Sequence, residues 1–277
     1  MGRPSLRDVA ALAGTSTAVV SYVVNGGPRP VAAHTRERVD AAIAELGYRP
    51  NKVAQSLRRQ STGTLGLVVP DLTKSFFAEL AATLEDVAFS QGRRLLISSS
   101  QFSPIRELEH LQGLLDAQVD GVALTPTGDP TGPVELLRRS GVPWVLLHRH
   151  PDTLDVPAQA VVGDDRQAGR IATQHLLEHG HTRIACLTGP GPGSPVHQRT
   201  QGFRDATQAA FGRVDEDLVL SCGYQNLSEA AYRTTADLLQ RRPDVTAVCA
   251  TTDEHALGVY RAAAQTQRRI GRSLAVI

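Results

Sequence analysis

Ser5-Leu6-Arg7-Asp8-Val9-Ala10-Ala11-Leu12-Ala13-Gly14-Thr15-Ser16-Thr17-Ala18-Val19-Val20-Ser21-Tyr22-Val23-Val24-Asn25 is the stretch on which the reading of this chain turns. Ser5 and Asp8 have the S-x-x-D spacing of a capping box, in which each side chain takes up a backbone N–H of the other. Val9, Ala10, Leu12 and Ala13 then form an apolar stripe, and Gly14 supplies a turn. Ser16 is placed to cap a second helix that runs through Val19, Val20, Val23 and Val24. Two short helices joined by a tight glycine-containing turn predict a helix-turn-helix, whose second helix fits the major groove of DNA.

Downstream, Asn25-Gly26-Gly27-Pro28-Arg29-Pro30 breaks the helical pattern. A third amphipathic helix is expected over 35–46, with Val39, Ala42, Ile43 and Leu46 on one face and Gly47 ending it. Asn51-Lys52-Val53-Ala54-Gln55-Ser56-Leu57-Arg58 is too short to be stable as an isolated helix. Beyond Thr64 the text changes. Apolar runs at 65–69, 94–98, 121–125, 144–148, 160–163, 184–188, 218–221 and 247–250 alternate with helical stretches. Those stretches lie near 75–91, 105–117, 134–140, 168–179, 199–210, 229–240 and 253–265. Continuous apolar strands separated by helices predict parallel sheets built from βαβ units. Their number suggests two lobes dividing near 160, with a ligand cleft at the carboxyl ends of the strands.

Composition limits the alternatives. Within residues 1–60, nine Lys/Arg against four Asp/Glu leave +5 of a total net charge of +1, so the remainder carries −4. A basic head on a mildly acidic body fits nucleic-acid contact at one end, although charge clusters are often only solvated surface. No apolar run is long enough for a membrane span. The start, Met1-Gly2-Arg3-Pro4-Ser5-Leu6-Arg7-Asp8, lacks the apolar core of a secretory signal, so a cytoplasmic location is expected. Cys186, Cys222 and Cys249 form neither a CxxC pair nor an even disulfide set and are expected to be reduced and buried.

In the order and spacing of these residues the chain resembles the lactose-repressor (LacI/GalR) family of bacterial regulators. Leu6-Arg7-Asp8-Val9-Ala10, Ala13-Gly14, Val20-Ser21 and Val23-Val24-Asn25 match its helix-turn-helix. Thr35-Arg36-x-Arg38-Val39 and Ala42-Ile43-x-Glu45-Leu46-Gly47-Tyr48-Arg49-Pro50-Asn51 match its third helix and exit. Ala54-x-Ser56-Leu57-Arg58 resembles its hinge helix, and Gly66-Leu67-Val68-Val69-Pro70-Asp71 the opening of its effector domain. In the body the matches are thinner. Phe76-Phe77-Ala78-Glu79 resembles a pocket loop; Asp165-x-x-x-Gly169, His175-Leu176 and Gly180-His181-x-x-Ile184-Ala185 resemble the start of the second lobe. Arg199-x-x-Gly202-Phe203 is similar to an effector-contacting arginine motif, and Asp253-x-x-Ala256-Leu257-Gly258 to a pocket aspartate motif.

The resemblance implies an all-α helix-turn-helix head (1–50), a hinge and linker (51–63), and an α/β effector domain of two parallel-sheet, periplasmic-binding-protein-like lobes (64–160 and 161–277). It implies a homodimeric repressor that reads double-stranded operator DNA and responds to a small, sugar-like effector. The family continues for some fifty residues past the strand that 271–277 resembles, so the second lobe's sheet is expected to be unfinished here. Three departures stand out. Ala32 occupies a position where the family usually has a capping serine, Tyr22 one where it usually has arginine, and His148 one where many relatives carry an acid.

Each candidate site has a bland reading beside it. Thr17, Ala18 and Tyr22 fall where the family reads base edges; Ala18 offers only a methyl contact, Thr17 a methyl or a hydroxyl. Ser16, Ser21 and Asn25 suit phosphates. Alternatively these are the solvated face of a small bundle. The resemblance adds Asn51, Ala54 and Leu57 to the DNA contacts, with Leu57 as a minor-groove wedge; its bland role is packing on the effector domain. In the cleft the candidates are Phe76, Phe77, His148, Arg149, Arg199 and Asp253, an aromatic, cationic and carboxylate set suited to a hydroxyl-rich ligand. Phe76 and Phe77 are each as readily core as pocket. His175, His179 and His181 have a metal-like spacing, but they straddle an expected helix end. Gly189-Pro190-Gly191-Pro192-Gly193 lacks the Lys-Ser/Thr of a phosphate loop. No GxSxG, HExxH or GxGxxG supports an enzyme, and neither cofactor nor metal is expected. The rival reading is a solute receptor of periplasmic-binding type with no role in transcription.

Overall fold

The computed structural model describes residues 4–25, 30–49, 61–150, 154, 157–189, 194–223 and 226–277. Two compact units divide between Thr62 and Gly63. In the first, α1 (Leu6–Leu12) starts from Ser5, whose hydroxyl accepts from the Asp8 N–H while the Asp8 carboxylate accepts from the Ser5 N–H at 2.7 Å. Ser16 Oγ accepts from the Val19 N–H at 3.3 Å and caps α2 (Thr17–Asn25). The third helix, α3 (Ala33–Leu46), starts two residues before the apolar pattern does. Ala32 offers it no side-chain cap, and Gly47 closes it at φ 60°. Val9, Ala10, Ala13, Val20, Val39, Ala42 and Tyr48 are the buried core of this unit. Arg38 fastens α3 to the turn between the first two helices by donating to the carbonyls of Ala13 and Gly14, both at 3.1 Å.

The second unit is two parallel sheets with helices on both faces. The first lobe holds β1 (Thr64–Val69), α4 (Ser75–Ser90), β2 (Arg94–Ser99), α5 (Pro104–Asp116), β3 (Gly121–Leu124), α6 (Thr131–Ser140), β4 (Trp144–Leu147) and β5 (Ala160–Val161), with strand order β2-β1-β3-β4-β5. The second holds α7 (Asp165–Glu178), β6 (Ile184–Thr188), α8 (Pro195–Phe211), β7 (Val219–Ser221), α9 (Leu227–Arg241), β8 (Ala247–Ala250), α10 (Asp253–Gln265) and β9 (Ala275–Val276), ordered β7-β6-β8-β9. Every strand pair is parallel. The inner strands are apolar on both faces because both faces are covered: Leu67, Val68 and Val69 are fully buried, as are Ala185, Cys186 and Leu187.

Several boundaries depart from the apolar pattern. Helix α7 begins three residues before 168 and α8 four before 199, because Asp164 and Ser194 cap them and Pro195 opens the latter. Capped first turns are polar, so periodicity does not reveal them. The 271–277 stretch forms only the short β9, since Gly271 turns at φ 74°. Within the described residues no helix is long and apolar enough to cross a membrane.

Candidate functional site

On α2, Val20 faces the core with Val23 and Val24 packed beside it, which leaves positions 17, 18, 21, 22 and 25 on the outer face. Ser16, Thr17 and Ala18 are exposed; Ser21, Tyr22 and Asn25 are half-buried. Asn25 Nδ2 donates to Ser21 Oγ at 3.1 Å, which orients both polar groups at the end of the helix. Asn51, Ala54 and Leu57, assigned to DNA from sequence, lie outside the described residues.

The cleft candidates of the second unit all follow the carboxyl ends of strands: Phe76 and Phe77 come after β1, His148 and Arg149 after β4, Arg199 after β6 and Asp253 after β8. In the first lobe, Phe76 stands in the first turn of α4 and His148 directly follows β4. Their rings meet at 4.5 Å, tilted by 35°. Phe77 meets Phe76 edge-on at 5.2 Å but packs against Leu67, Val69, Ala81 and Leu147, whereas Phe76 remains 47% exposed. Phe77 is therefore part of the core, whereas Phe76 stands outside it. His148 has φ 57°, a left-handed conformation that few residues other than glycine adopt. Burial above all lowers its pKa to about 4, aided by Arg199 and His150 and opposed by Asp165. It is therefore a neutral imidazole at physiological pH.

Arg149 points into the wall of the first lobe, 7% exposed, and its Nη2 donates to Gly128 O at 2.6 Å. Beside it, Glu107 is buried and accepts from the Thr127 N–H at 2.6 Å, while Ser100 and Thr127 share a 2.6 Å hydroxyl contact. Burial raises the Glu107 pKa against the opposing pull of Thr127 and Arg149. No sequence pattern singled out Glu107, Ser100 or Thr127. A lone acid on the buried stripe of α5 was the one available signal.

In the second lobe Arg199 is held from two sides. Its Nε donates to Asp165 Oδ1 at 2.9 Å and its Nη1 to the Thr251 carbonyl at 2.8 Å. Thr251 Oγ1 donates to Leu187 O at 2.7 Å, so its 3.1 Å contact with His255 Nδ1 requires the imidazole to be the donor. His255 is fully buried, with its pKa lowered by burial to about 4. What lets Arg199 reach Asp165 is the crossing of α7 and α8. A Cβ on Gly169 would lie 1.9 Å from Arg199 O, and one on Gly202 1.9 Å from Arg166 O. His150 Nε2 approaches Asp165 Oδ2 at 3.8 Å from the first lobe. Asp253 is the exposed first residue of α10, which Thr252 caps by accepting from the His255 N–H.

The spaced histidines do not converge. His175 and His179 stack at 4.2 Å, His179 Nδ1 contacts His175 O, and His181 Nδ1 contacts Thr246 Oγ1. Among the described residues no group of three His, Cys, Asp or Glu is arranged to hold a metal ion. Residues 190–193 of the Gly/Pro loop lie outside the described residues. Cys186, Cys222 and Cys249 are free and buried.

A helix-turn-helix unit followed by a two-lobed α/β unit is the architecture of a DNA-binding regulator with an effector-type domain. Residues 5–51 match bacterial regulatory proteins of the lacI family, and residues 62–276 match the periplasmic binding proteins and sugar binding domain of the LacI family. The ribose operon repressor of Escherichia coli (strain K12) is 32% identical over 281 residues, spanning 99% of this chain and 82% of that protein. Catabolite control protein A of Priestia megaterium is 33% identical over 274 residues, 99% of this chain and 81% of its own. The lac repressor dimer bound to operator and the anti-inducer ONPF superposes with a TM-score of 0.84 at 26% identity, covering 99% of this chain and 82% of that one. A complex of the transcriptional regulator CelR with cellobiose gives 0.70 at 34% identity, with the same coverage. The chain belongs to the LacI family of bacterial transcriptional regulators.

Proposed function

We propose that this chain is a cytoplasmic repressor, a binding protein rather than an enzyme, whose operator affinity is set by a small neutral polyhydroxylated effector. Thr17, Ala18 and Tyr22 read bases in this proposal, and Ser16, Ser21 and Asn25 hold phosphates. Asn51, Ala54 and Leu57 complete the contact from the hinge of each protomer of a dimer. The observation that carries the effector half is Arg199. Asp165 and the Thr251 carbonyl hold its guanidinium, whose charge is near enough to help lower the pKa of His148, the partner of Phe76 in the stack. A fixed guanidinium and a neutral imidazole give directional hydrogen bonds to hydroxyls, and the exposed Phe76 gives a face for a sugar ring. Asp253, at the rim, supplies an acceptor. Arg149 acts from behind by holding the loop at Gly128.

The test selects binding sites for the purified full chain from a random DNA duplex pool. Enrichment of a pseudo-palindrome is expected, with affinity that falls steeply as salt rises. D-Ribose and cellobiose, taken from the names of relatives, are then titrated against that site. Retention of the pool without sequence enrichment overturns the DNA half. A regulator that binds its site but whose Arg199→Ala variant responds to an active sugar as the parent does overturns the effector half.

A further inference from the structure

Lys74 and Glu254 belong to none of the motifs that led to the cleft, yet they join its two sides. Lys74 immediately precedes α4, two residues before Phe76, and Glu254 is the second residue of α10, next to Asp253. Lys74 Nζ lies 2.8 Å from Glu254 Oε1, and the two side chains are 26% and 27% exposed. One partner belongs to the first lobe and the other to the second, so the pair forms only when the lobes stand in this arrangement. A second charged contact between the lobes, His150 with Asp165, is longer at 3.8 Å and is an ion pair only when the histidine is protonated. A close, partly desolvated pair keeps more of its attraction than a surface pair does, because less water screens it.

We propose that Lys74 and Glu254 form an electrostatic latch at the edge of the effector cleft, biasing the lobes toward the arrangement described here. An effector entering beside Phe76 and Asp253 changes the lobe equilibrium by favouring either the latched or the unlatched state; without such a preference it shifts nothing. The latch itself is independent of the identity of the effector, and only its coupling to ligand rests on the function proposed above.

Spin labels at Glu109→Cys on α5 and Gln240→Cys on α9 report the distance between lobes in the full chain, free of DNA and sugar. Both positions are exposed, whereas the native thiols are buried. Lys74→Gln and Glu254→Gln are each expected to shift the ratio of shorter to longer distances by about two- to fivefold, the range open to a partly exposed ion pair. The double variant should shift it no further than either single variant, and the exchange Lys74→Glu/Glu254→Lys should restore it. Unchanged melting temperatures verify that the variants are folded. Identical distance distributions in parent and single variants, additive single effects, or an exchange that restores nothing would each overturn the latch. Operator selection plays no part in this measurement, so the latch and the regulatory function can fail separately.

Discussion

His255 brings an imidazole into the interior of the second lobe. Its Nδ1 is committed to Thr251, and its Nε2 meets no donor among the described residues. Protonation would place a charge in a fully buried site, which is why its pKa falls from 6.5 to about 4. Above pH 6.5 the imidazole is neutral both folded and unfolded, and it makes no difference to stability. As the pH falls from 6.5 toward 4 the unfolded chain takes up a proton that the folded chain refuses. Stability is therefore lost by up to about 1.4 kcal/mol for each pH unit crossed. His148 adds to the same loss. Thermal unfolding followed from pH 7 to pH 4.5 should show this decline, and His255→Gln should flatten it; an unchanged slope would count against the assignment. At the same scale, Leu57→Ala is expected to weaken operator binding far more than non-specific binding, because only a kinked specific site uses a wedge. Equal losses in a binding assay on both kinds of DNA would remove that role.

Among the helices, the crossing of α7 and α8 explains a spacing that was visible but mute in the sequence. Asp165-x-x-x-Gly169 and Arg199-x-x-Gly202 were legible as motifs, yet nothing in either segment says why the glycines are there. With the helices packed, each glycine proves to be the point of closest approach to the other helix's backbone, and their residues Asp165 and Arg199 meet beside it. Gly169→Ala and Gly202→Ala should each destabilise the chain by at least about 2–3 kcal/mol, since a backbone atom must move to admit the methyl. Gly113 in α5 is the control. A Cβ there meets nothing within 4 Å, so Gly113→Ala should stabilise by about 0.5–1 kcal/mol by removing glycine's unfolded-state freedom. Urea unfolding midpoints read all three. The reverse lesson holds at the helix starts, where Asp164 and Ser194 were present in the sequence but carry no apolar period to mark them.

Over the whole molecule, the charge asymmetry separates two tasks. The excess of cations lies in residues 1–60, while the lobes carry the acids that orient Arg199 and meet Lys74. Residues 63–277 alone should keep their melting transition, because their core clusters draw on no residue before Leu67. They should also lose salt-dependent DNA retention, for which the expected slope of log affinity against log salt is about −0.9 per phosphate neutralised. Retained DNA binding by 63–277 would move the interface off the head. Local rules determined much of this protein from sequence alone. The capping box, glycine turn and apolar stripes specified the three head helices, and the run of buried strands specified parallel sheets, because both follow from neighbours within a few residues. Only the tertiary structure decided that Phe77 is core while Phe76 stays half exposed against His148, that Arg149 faces the wall, and that Arg199 finds Asp165. The same holds for Glu107, buried inside the first lobe, and for Lys74 meeting Glu254 between the lobes. Those outcomes depend on which surfaces meet when helices cross and lobes face one another, and such distances are set by packing between segments far apart in the chain.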